Sequence, residues 1–272
     1  MIVVDNGSTD STATILQDLA FQHPLITLFE PRAGKNVALN RALTAANGDL
    51  LIFTDDDVIL PKNFLVAYEE LSTKQTEFSL FGGHIVAHWE AMPDQNLLKE
   101  IPLGIAYSIT EDDRTKGEIK AGRIYGPNMA VRSKVFDSGL RYDESIGPNG
   151  KLYVMGSETE FLHRAEVNGF RAYFDPSIVV GHRVDKHQFD RNWLSNRAFK
   201  AGRAMVHDQI RKGVDQHSSK RIFGCPRWAV RKYIEAEARV LANFTTRRKQ
   251  GAYSARWQSA FLKGYLYEIR RH

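Results

Sequence analysis

Residues 47–57 read NGDLLIFTDDD and carry the strongest fold signal in the chain. Asn47 and Gly48 are typical of the left-handed turn that ends a helix. Leu50 to Phe53 form a continuous apolar run, which is typical of a strand buried on both faces of a sheet. Three consecutive aspartates follow this run directly. The stretch therefore predicts a helix end, a buried strand and a carboxylate cluster at the carboxyl end of that strand.

The same alternation of strand and helix precedes this stretch. Residues 2–4 and 25–29 are short apolar runs, and each is followed by a helical pattern. The alternation predicts an α/β fold with an open, mostly parallel sheet flanked by helices. Because ligands bind at the carboxyl ends of strands in such sheets, we expect Asp5 and the aspartates at 55–57 to share one crevice.

Composition excludes several classes of protein. Of the 272 residues, 43% are hydrophobic and 25% are charged, and Cys225 is the single cysteine. These values exclude intrinsic disorder, a collagen-like repeat and a disulfide scaffold. No apolar run approaches the roughly 20 residues of a membrane-spanning helix, and no secretion signal is recognisable. We expect a cytoplasmic protein, with a peripheral position at the inner face of the membrane as an alternative.

Charge divides the chain into two parts. Residues 1–182 contain 16 Lys and Arg against 25 Asp and Glu, a net charge of −9, whereas residues 183–272 contain 21 against 7, a net charge of +14. Helical patterns cover 192–212, 227–244 and 254–270. We predict an α/β domain over 1–190 and a basic helical extension over 191–272. The extension either meets an anionic partner or presents a solvated helical surface.

The aspartates at 55–57 favour a cation. Three adjacent carboxylates repel one another, so burying them without a positive charge is costly. Hard oxygen ligands favour Mg²⁺ or Mn²⁺, which commonly complete their coordination with substrate phosphate oxygens. The alternative is an exposed acidic loop.

Five segments together resemble family 2 glycosyltransferases of the glycosyltransferase-A fold. They are IVVDNGSTDST (2–12), GKNVALNRALTAANGDLLIFTDDD (34–57), GPNMAVRSKVF (126–136), GSETEFLHR (156–164) and His182. They occur in the family's order and cover roughly residues 1–210. The resemblance implies an inverting, metal-dependent enzyme that moves a sugar from a nucleoside diphosphate sugar, with UDP favoured over GDP. The implied acceptor is a hydroxyl of a glycan or a lipid-linked molecule in polysaccharide biosynthesis.

The resemblance also assigns roles to individual residues. Asp5 matches the residue that meets the nucleobase of the donor. Asp55 and Asp57 match the outer positions of the DxD motif, with Asp57 as a ligand of Mn²⁺ or Mg²⁺ and Asp55 near the ribose or the metal. Glu158 matches the general base, and His182 matches a histidine that completes the metal site.

Further contacts are expected on either side of the reacting bond. Residues that could meet the donor and its diphosphate are Lys35, Asp56, Arg191, Arg197 and Arg203. Residues expected on the acceptor side are Asn128 and Met129.

Simpler interpretations of these residues remain open. Asp5 also suits a tight turn, and Glu158 also suits the first turn of a helix. Lone histidines such as His182 are commonly structural, and Lys35 could cap a helix. Ser157 and Glu158 stand where the family usually has Glu and Asp, so the base would reach one methylene further.

The part of the family pattern that this chain matches begins after the family's usual first strand. Family members usually have a strand upstream of the segment that begins here at Met1, and that strand lies inside the sheet. Its absence would leave backbone groups unpaired and apolar surface uncovered. We therefore expect that the native product starts upstream or that another element fills the gap.

The alternative function is a noncatalytic sugar-nucleotide or glycan-binding protein. Nucleic acid is not an expected partner, because no nucleic-acid-binding motif is recognisable.

Overall fold

The computed structural model describes residues 1–149, 153–215, 220–246 and 250–272. The strands are β1 (Ile2–Asp5), β2 (Ile26–Phe29), β3 (Leu50–Phe53), β4 (Val58–Ile59), β5 (Leu80–Trp89), β6 (Gly117–Ile119), β7 (Met129–Arg132), β8 (Ala172–Val184), β9 (Arg221–Ile222) and β10 (Cys225–Pro226). The helices are α1 (Thr12–Gln22), α2 (Lys35–Leu43), α3 (Phe64–Lys74), α4 (Gln95–Glu100), α5 (Leu103–Tyr107), α6 (Ser133–Asp137), α7 (Ser157–Val167), α8 (Arg191–Arg211), α9 (Arg227–Thr245) and α10 (Ala252–Ile269). Short 3-10 helices cover Ala121–Arg123, Gly126–Asn128 and Lys186–Phe189.

Contacts divide the chain into two compact units. The first contains residues 1–54, 62–83 and 115–178, and the second contains residues 55–61, 84–114 and 179–272. Every described residue of the basic extension predicted over 191–272 therefore belongs to the second unit. The predicted boundary after residue 190 remains a prediction.

Strands and helices alternate in the first unit as the sequence pattern predicts. β1 runs parallel to β2, whereas β7 runs antiparallel to both β3 and β5. The predicted α/β class, a central sheet flanked by helices, is confirmed. The strand directions are more mixed than the pattern suggests, because an apolar run carries no information on the direction of a strand.

One side of the first unit exposes apolar surface. Among the described residues, β1 pairs with β2 and β3 pairs with β7, and no strand joins β1 to β3. Helix α1 contains no buried residue, and the side chains of Phe21 and Phe29 are 95% and 59% exposed. Phe21 and Phe29 therefore present apolar side chains to solvent on this side of the first unit.

Two helices of the second unit, α8 and α10, approach each other through paired glycines. A Cβ atom at Gly202 would lie 1.9 Å from the carbonyl oxygen of Phe261. A Cβ atom at Gly264 would lie 2.0 Å from the carbonyl oxygen of Phe199. Both obstacles are backbone atoms, so no side-chain movement could relieve the overlap. The two glycines therefore permit the close packing of this helix pair.

We expect Gly264→Ala to destabilise the protein by about 1–3 kcal/mol, because overpacking costs this much in close-packed interiors. Alanine's higher helix propensity acts in the opposite direction and contributes about 1 kcal/mol at most. Denaturant unfolding measures the difference. Gly48→Ala is the control, because the nearest atom to a Cβ there is the Leu50 carbonyl oxygen at 3.5 Å. Equal unfolding midpoints for the two variants would contradict the packing argument.

A buried carboxylate also connects α8 with α10. Glu268 is 4% exposed and accepts hydrogen bonds from Arg203 Nε at 2.5 Å and from His207 Nε2 at 2.9 Å. Burial by itself would raise the pKa of the Glu268 carboxyl. The hydrogen bonds and positive charges of Arg203 and His207 outweigh that effect, so the pKa is lowered. Glu268 is therefore a carboxylate at neutral pH.

Candidate active site

Asp57 and His182 meet where β4 pairs with β8. Val58 lies opposite His182 in this antiparallel pair, and the backbone N–H of Arg183 donates to the Asp57 carbonyl at 2.9 Å. This register places Asp57 Oδ2 3.3 Å from His182 Nε2. The structure thus brings together the two residues that the sequence assigns to a metal site, although they are 125 positions apart.

The residues at this place fit a divalent cation. Adjacent ligands of an octahedral cation with bonds of 2.0–2.1 Å lie about 3 Å apart, close to the Asp57–His182 distance. One carboxylate and one imidazole are a donor set suited to a metal such as Mn²⁺. The His182 side chain is 12% exposed, and its Nδ1 atom is buried with no hydrogen-bond partner in the described part of the chain. Asp55 is half-buried and Asp56 is exposed.

The loop after β1 lies in the first unit and is held by its polar side chains. Asp5 is 8% exposed, and its Oδ1 accepts a hydrogen bond from the Ser8 backbone N–H at 2.9 Å. Asn6 Nδ2 donates to the carbonyl of Glu30, and Asn6 Oδ1 accepts from the Gly34 N–H. Asp5 therefore has the turn role that its sequence allows. Its contact with a nucleobase remains a prediction.

Glu158 forms an ion pair with Lys35 in the first unit. Glu158 Oε1 lies 2.7 Å from Lys35 Nζ, and the two side chains are 21% and 29% exposed. Glu158 also packs against the backbone of Gly126, where a Cβ atom would lie 2.7 Å from Oε1. Lys35, which the sequence suggested as a phosphate contact, thus holds the predicted base in this structure. Both groups remain partly accessible to solvent.

The residue before the predicted base is buried. Ser157 is 1% exposed, and its hydroxyl donates to Asn36 Oδ1 at 2.8 Å. Asn36 Nδ2 in turn donates to the carbonyls of Asp143 and Ile146. This network fixes the start of α7 and thereby Glu158. Asn36 was not predicted as a site residue, although it follows Lys35 within one of the five matching segments.

The predicted acceptor-side residues are both buried. Asn128 and Met129 are 0% and 1% exposed. Asn128 Oδ1 accepts a hydrogen bond from the Tyr68 hydroxyl at 2.7 Å, and Asn128 Nδ2 donates to the Ile178 carbonyl at 2.9 Å. Their side chains therefore support the first unit from within.

The three arginines predicted as phosphate contacts differ in their surroundings. Arg191 is exposed at the first position of α8. Arg197 Nε donates to the Ile105 carbonyl at 3.2 Å, and its guanidinium lies 5.9 Å from the centre of the Trp193 ring. Arg203 is 8% exposed and bonded to Glu268. Of the three, Arg191 has the side chain best placed to reach a ligand from solvent.

The family model described as "Glycosyl transferase family 2" matches residues 1–137, half of the chain. The chain belongs to this family. The matched region contains Asp5, Lys35 and the aspartates at 55–57. Glu158 and His182 lie beyond it, so their roles remain inferred from the motifs and the local geometry.

One curated relative and two solved structures are similar to this chain. The succinoglycan biosynthesis protein ExoM of Rhizobium meliloti (strain 1021) is 25% identical over 210 residues, which cover 74% of this chain and 62% of that protein. The chain thus spans less than two thirds of this relative. The mannosyltransferase PcManGT of Pyrobaculum calidifontis, in complex with GDP-Man and Mn²⁺, matches with a TM-score of 0.62 at 18% identity, covering 98% of this chain and 77% of that one. S. aureus TarS 1–349 in complex with UDP matches at 0.51 and 16% identity, covering 99% and 81%.

These structural matches confirm the fold. At identities of 16–18% they show the shared architecture and leave the donor of this chain open. Within the described residues, no helix has the length and hydropathy needed to cross a bilayer.

Proposed function

We propose that this chain is a glycosyltransferase that transfers a sugar from a nucleoside diphosphate sugar to a hydroxyl acceptor, with inversion at the anomeric carbon. The observation that supports this most strongly is the 3.3 Å approach of Asp57 Oδ2 to His182 Nε2. Family membership and the relative named for succinoglycan biosynthesis support a role in polysaccharide synthesis. The complex of PcManGT with GDP-Man and Mn²⁺ supports a nucleotide-sugar donor and a divalent cation.

Asp57 and His182 would hold the cation, with Asp55 as a further ligand or a ribose contact. When bound, Mn²⁺ or Mg²⁺ neutralises the charge that develops on the leaving diphosphate. Asp57 and His182 would leave room around the cation for donor oxygens, as is usual at sites where a cation binds phosphates. Asp56 and Arg191 are exposed and are proposed as additional donor contacts.

Residues of the first unit would recognise the nucleotide and move the proton. Asp5 would accept a hydrogen bond from the nucleobase. The hydrogen bond that its Oδ1 accepts from the Ser8 N–H would hold the loop after β1 in place. Glu158 would take the proton from the acceptor hydroxyl, which is a poor nucleophile until it is deprotonated. Lys35 would hold the Glu158 carboxylate in place before the acceptor arrives. Asn128 and Met129 would support the acceptor side from beneath.

A noncatalytic nucleotide-sugar or glycan-binding protein is the second candidate. The Lys35–Glu158 ion pair favours it, because a carboxylate already paired with an ammonium is a weaker base.

Thermal unfolding of the protein with a panel of UDP- and GDP-sugars, with and without Mn²⁺, identifies the donor. Product analysis then distinguishes turnover from binding. The expected preference for UDP-sugars is contradicted if GDP-sugars alone stabilise the protein.

Helix α9 carries features of a membrane-contacting surface. Its inner residues, including Val230 and Tyr233, pack on the core of the second unit. Ile234, Leu241 and Phe244 are instead 62%, 63% and 74% exposed. With the net charge of +14 over residues 183–272, this surface supports peripheral contact with an anionic membrane.

We expect the protein to co-sediment with anionic vesicles and to remain in solution with neutral ones. Leu241→Glu should reduce the bound fraction, because it places a negative charge in the exposed apolar surface of α9. Phe21→Glu is the matched control, since Phe21 is 95% exposed on α1 in the first unit. Equal recovery with neutral and anionic vesicles would contradict an electrostatic contact.

A further inference from the structure

Three potential metal ligands converge at the contact between α8 and α10, within the second unit. They are His207 on α8, Glu268 on α10 and His272 just beyond α10. Each offers one nitrogen or oxygen atom, and the three atoms lie within 4.8 Å of one another. None of the three residues belongs to the candidate active site described above.

The distances suit a tetrahedral cation. Glu268 Oε1 lies 2.9 Å from His207 Nε2 and 3.8 Å from His272 Nε2. Bonds of 2.0–2.1 Å to a tetrahedral Zn²⁺ place adjacent ligand atoms about 3.3 Å apart. To reach this geometry, one of these distances must lengthen and the other shorten by about half an ångström, and the two histidine nitrogens, which lie within 4.8 Å of each other, must also come to about 3.3 Å. Side-chain rotation is sufficient, since both imidazoles are partly exposed.

The central carboxylate is already held in place. Glu268 Oε2 accepts the hydrogen bond from Arg203 Nε, which leaves Oε1 directed at the two histidines. Ligating carboxylates are commonly fixed in this way by an outer hydrogen-bond donor. The close approach of α8 and α10 at Gly202 and Gly264 holds the two helices at a short, fixed separation. Two of the three ligands therefore come from a preorganised helix pair.

The exposure of the three side chains gives the site an open side. Glu268 is 6% exposed at its side chain, whereas His207 and His272 are 27% and 40% exposed. An ion can therefore enter from solvent, and a water molecule can occupy the fourth position. Two imidazoles with one carboxylate favour Zn²⁺ over Mg²⁺ or Ca²⁺, which prefer oxygen ligands. Arg203 carries a positive charge nearby, so the affinity is expected to be moderate.

We propose that His207, Glu268 and His272 form a Zn²⁺ site that joins α10 to α8. In this site Zn²⁺ replaces the proton on His207 Nε2, and the imidazole keeps its remaining proton on Nδ1. The ion connects two helices that bury the core of the second unit. It therefore stabilises the folded chain by an amount that grows with the ratio of free Zn²⁺ to its dissociation constant.

The test measures Zn²⁺ binding to the full chain without a polyhistidine tag. Chelator-treated protein is mixed with Zn²⁺, and bound metal is quantified together with the midpoint of thermal unfolding. The variants are His207→Ala and His272→Ala, each made also in an Asp57→Asn background that removes the proposed active-site ligand. His187→Ala is the control, because His187 is an exposed histidine beside a single carboxylate, Asp185.

We expect the Asp57→Asn protein to bind one equivalent of Zn²⁺ and to unfold at a higher temperature with Zn²⁺ than after chelator treatment. We expect His207→Ala and His272→Ala to weaken that binding by more than about 100-fold, since even the loss of an outer-shell partner costs 10- to 100-fold. His187→Ala should bind as its parent does. The proposal is overturned if Asp57→Asn protein binds no Zn²⁺, or if either alanine variant retains the parent's affinity.

Discussion

Replacing Asp57 by asparagine is expected to lower the rate of nucleoside diphosphate release by about 100-fold or more. The change keeps the shape of the side chain and removes the charge that faces His182 Nε2 at 3.3 Å. Removing a single preorganised group that stabilises developing negative charge typically costs about 100- to 1000-fold in rate. Steady-state release of UDP or GDP from the best donor, at a Mn²⁺ concentration that just saturates the wild type, measures the effect.

Asp18→Asn is the matched control for this prediction. Asp18 is an exposed aspartate on α1, so its loss changes the net charge by the same amount without touching the site. We expect His182→Ala to resemble Asp57→Asn, and excess Mn²⁺ to restore part of the activity of either variant. Wild-type rates in both Asp57→Asn and His182→Ala would exclude this pair as the cation site.

Glu158→Gln is expected to lower kcat by about 100- to 10,000-fold, the range typical for the loss of a general base. Glutamine retains the shape and the hydrogen-bonding oxygen but cannot accept the acceptor's proton. Because Glu158 acts on the acceptor, the KM for the donor should change little. Transfer assays with an acceptor panel measure both constants.

The position of Glu158 can be tested separately from its charge. Gly126→Ala places a methyl group where the Glu158 side chain packs, so it should lower kcat while Glu158 is still present. Glu70→Gln is the control for Glu158→Gln, because Glu70 is an exposed glutamate that pairs with Lys74 on α3. If Glu158→Gln transfers sugar at the wild-type kcat, another group is the base. Glu160 lies on the same helix, but its carboxylate is buried and bonded to Arg164.

The order of the elements could be predicted from sequence because its signals are local. The apolar run at 50–53 became β3, although its four residues are half-buried and not buried on both faces as predicted. The helices expected over 192–212, 227–244 and 254–270 were found within two residues of their predicted bounds. Strand direction could not be predicted for β7, because its apolar pattern is the same in both directions. The two-unit division depends on long-range contacts, which no local pattern records.

In the candidate site, too, motifs predicted some features, whereas others depend on long-range contacts. The pairing of Asp57 with His182 follows from the register of β4 on β8, and the motif order was sufficient to anticipate it. The Lys35–Glu158 ion pair was not predicted, because Lys35 was assigned to the donor diphosphate and Glu158 to the role of general base. Arg203 was expected at a phosphate from its basic helix. Its burial against Glu268 depends on the packing of α10, which the sequence pattern of α8 does not report.

The most direct test of the account is donor turnover by chelator-treated protein, measured as nucleoside diphosphate release with and without added Mn²⁺. We predict release from one class of nucleotide sugar when Mn²⁺ is present and almost none in its absence, with a product of inverted anomeric configuration. Undiminished release in the presence of chelator, or binding without turnover across both UDP- and GDP-sugars, would contradict it.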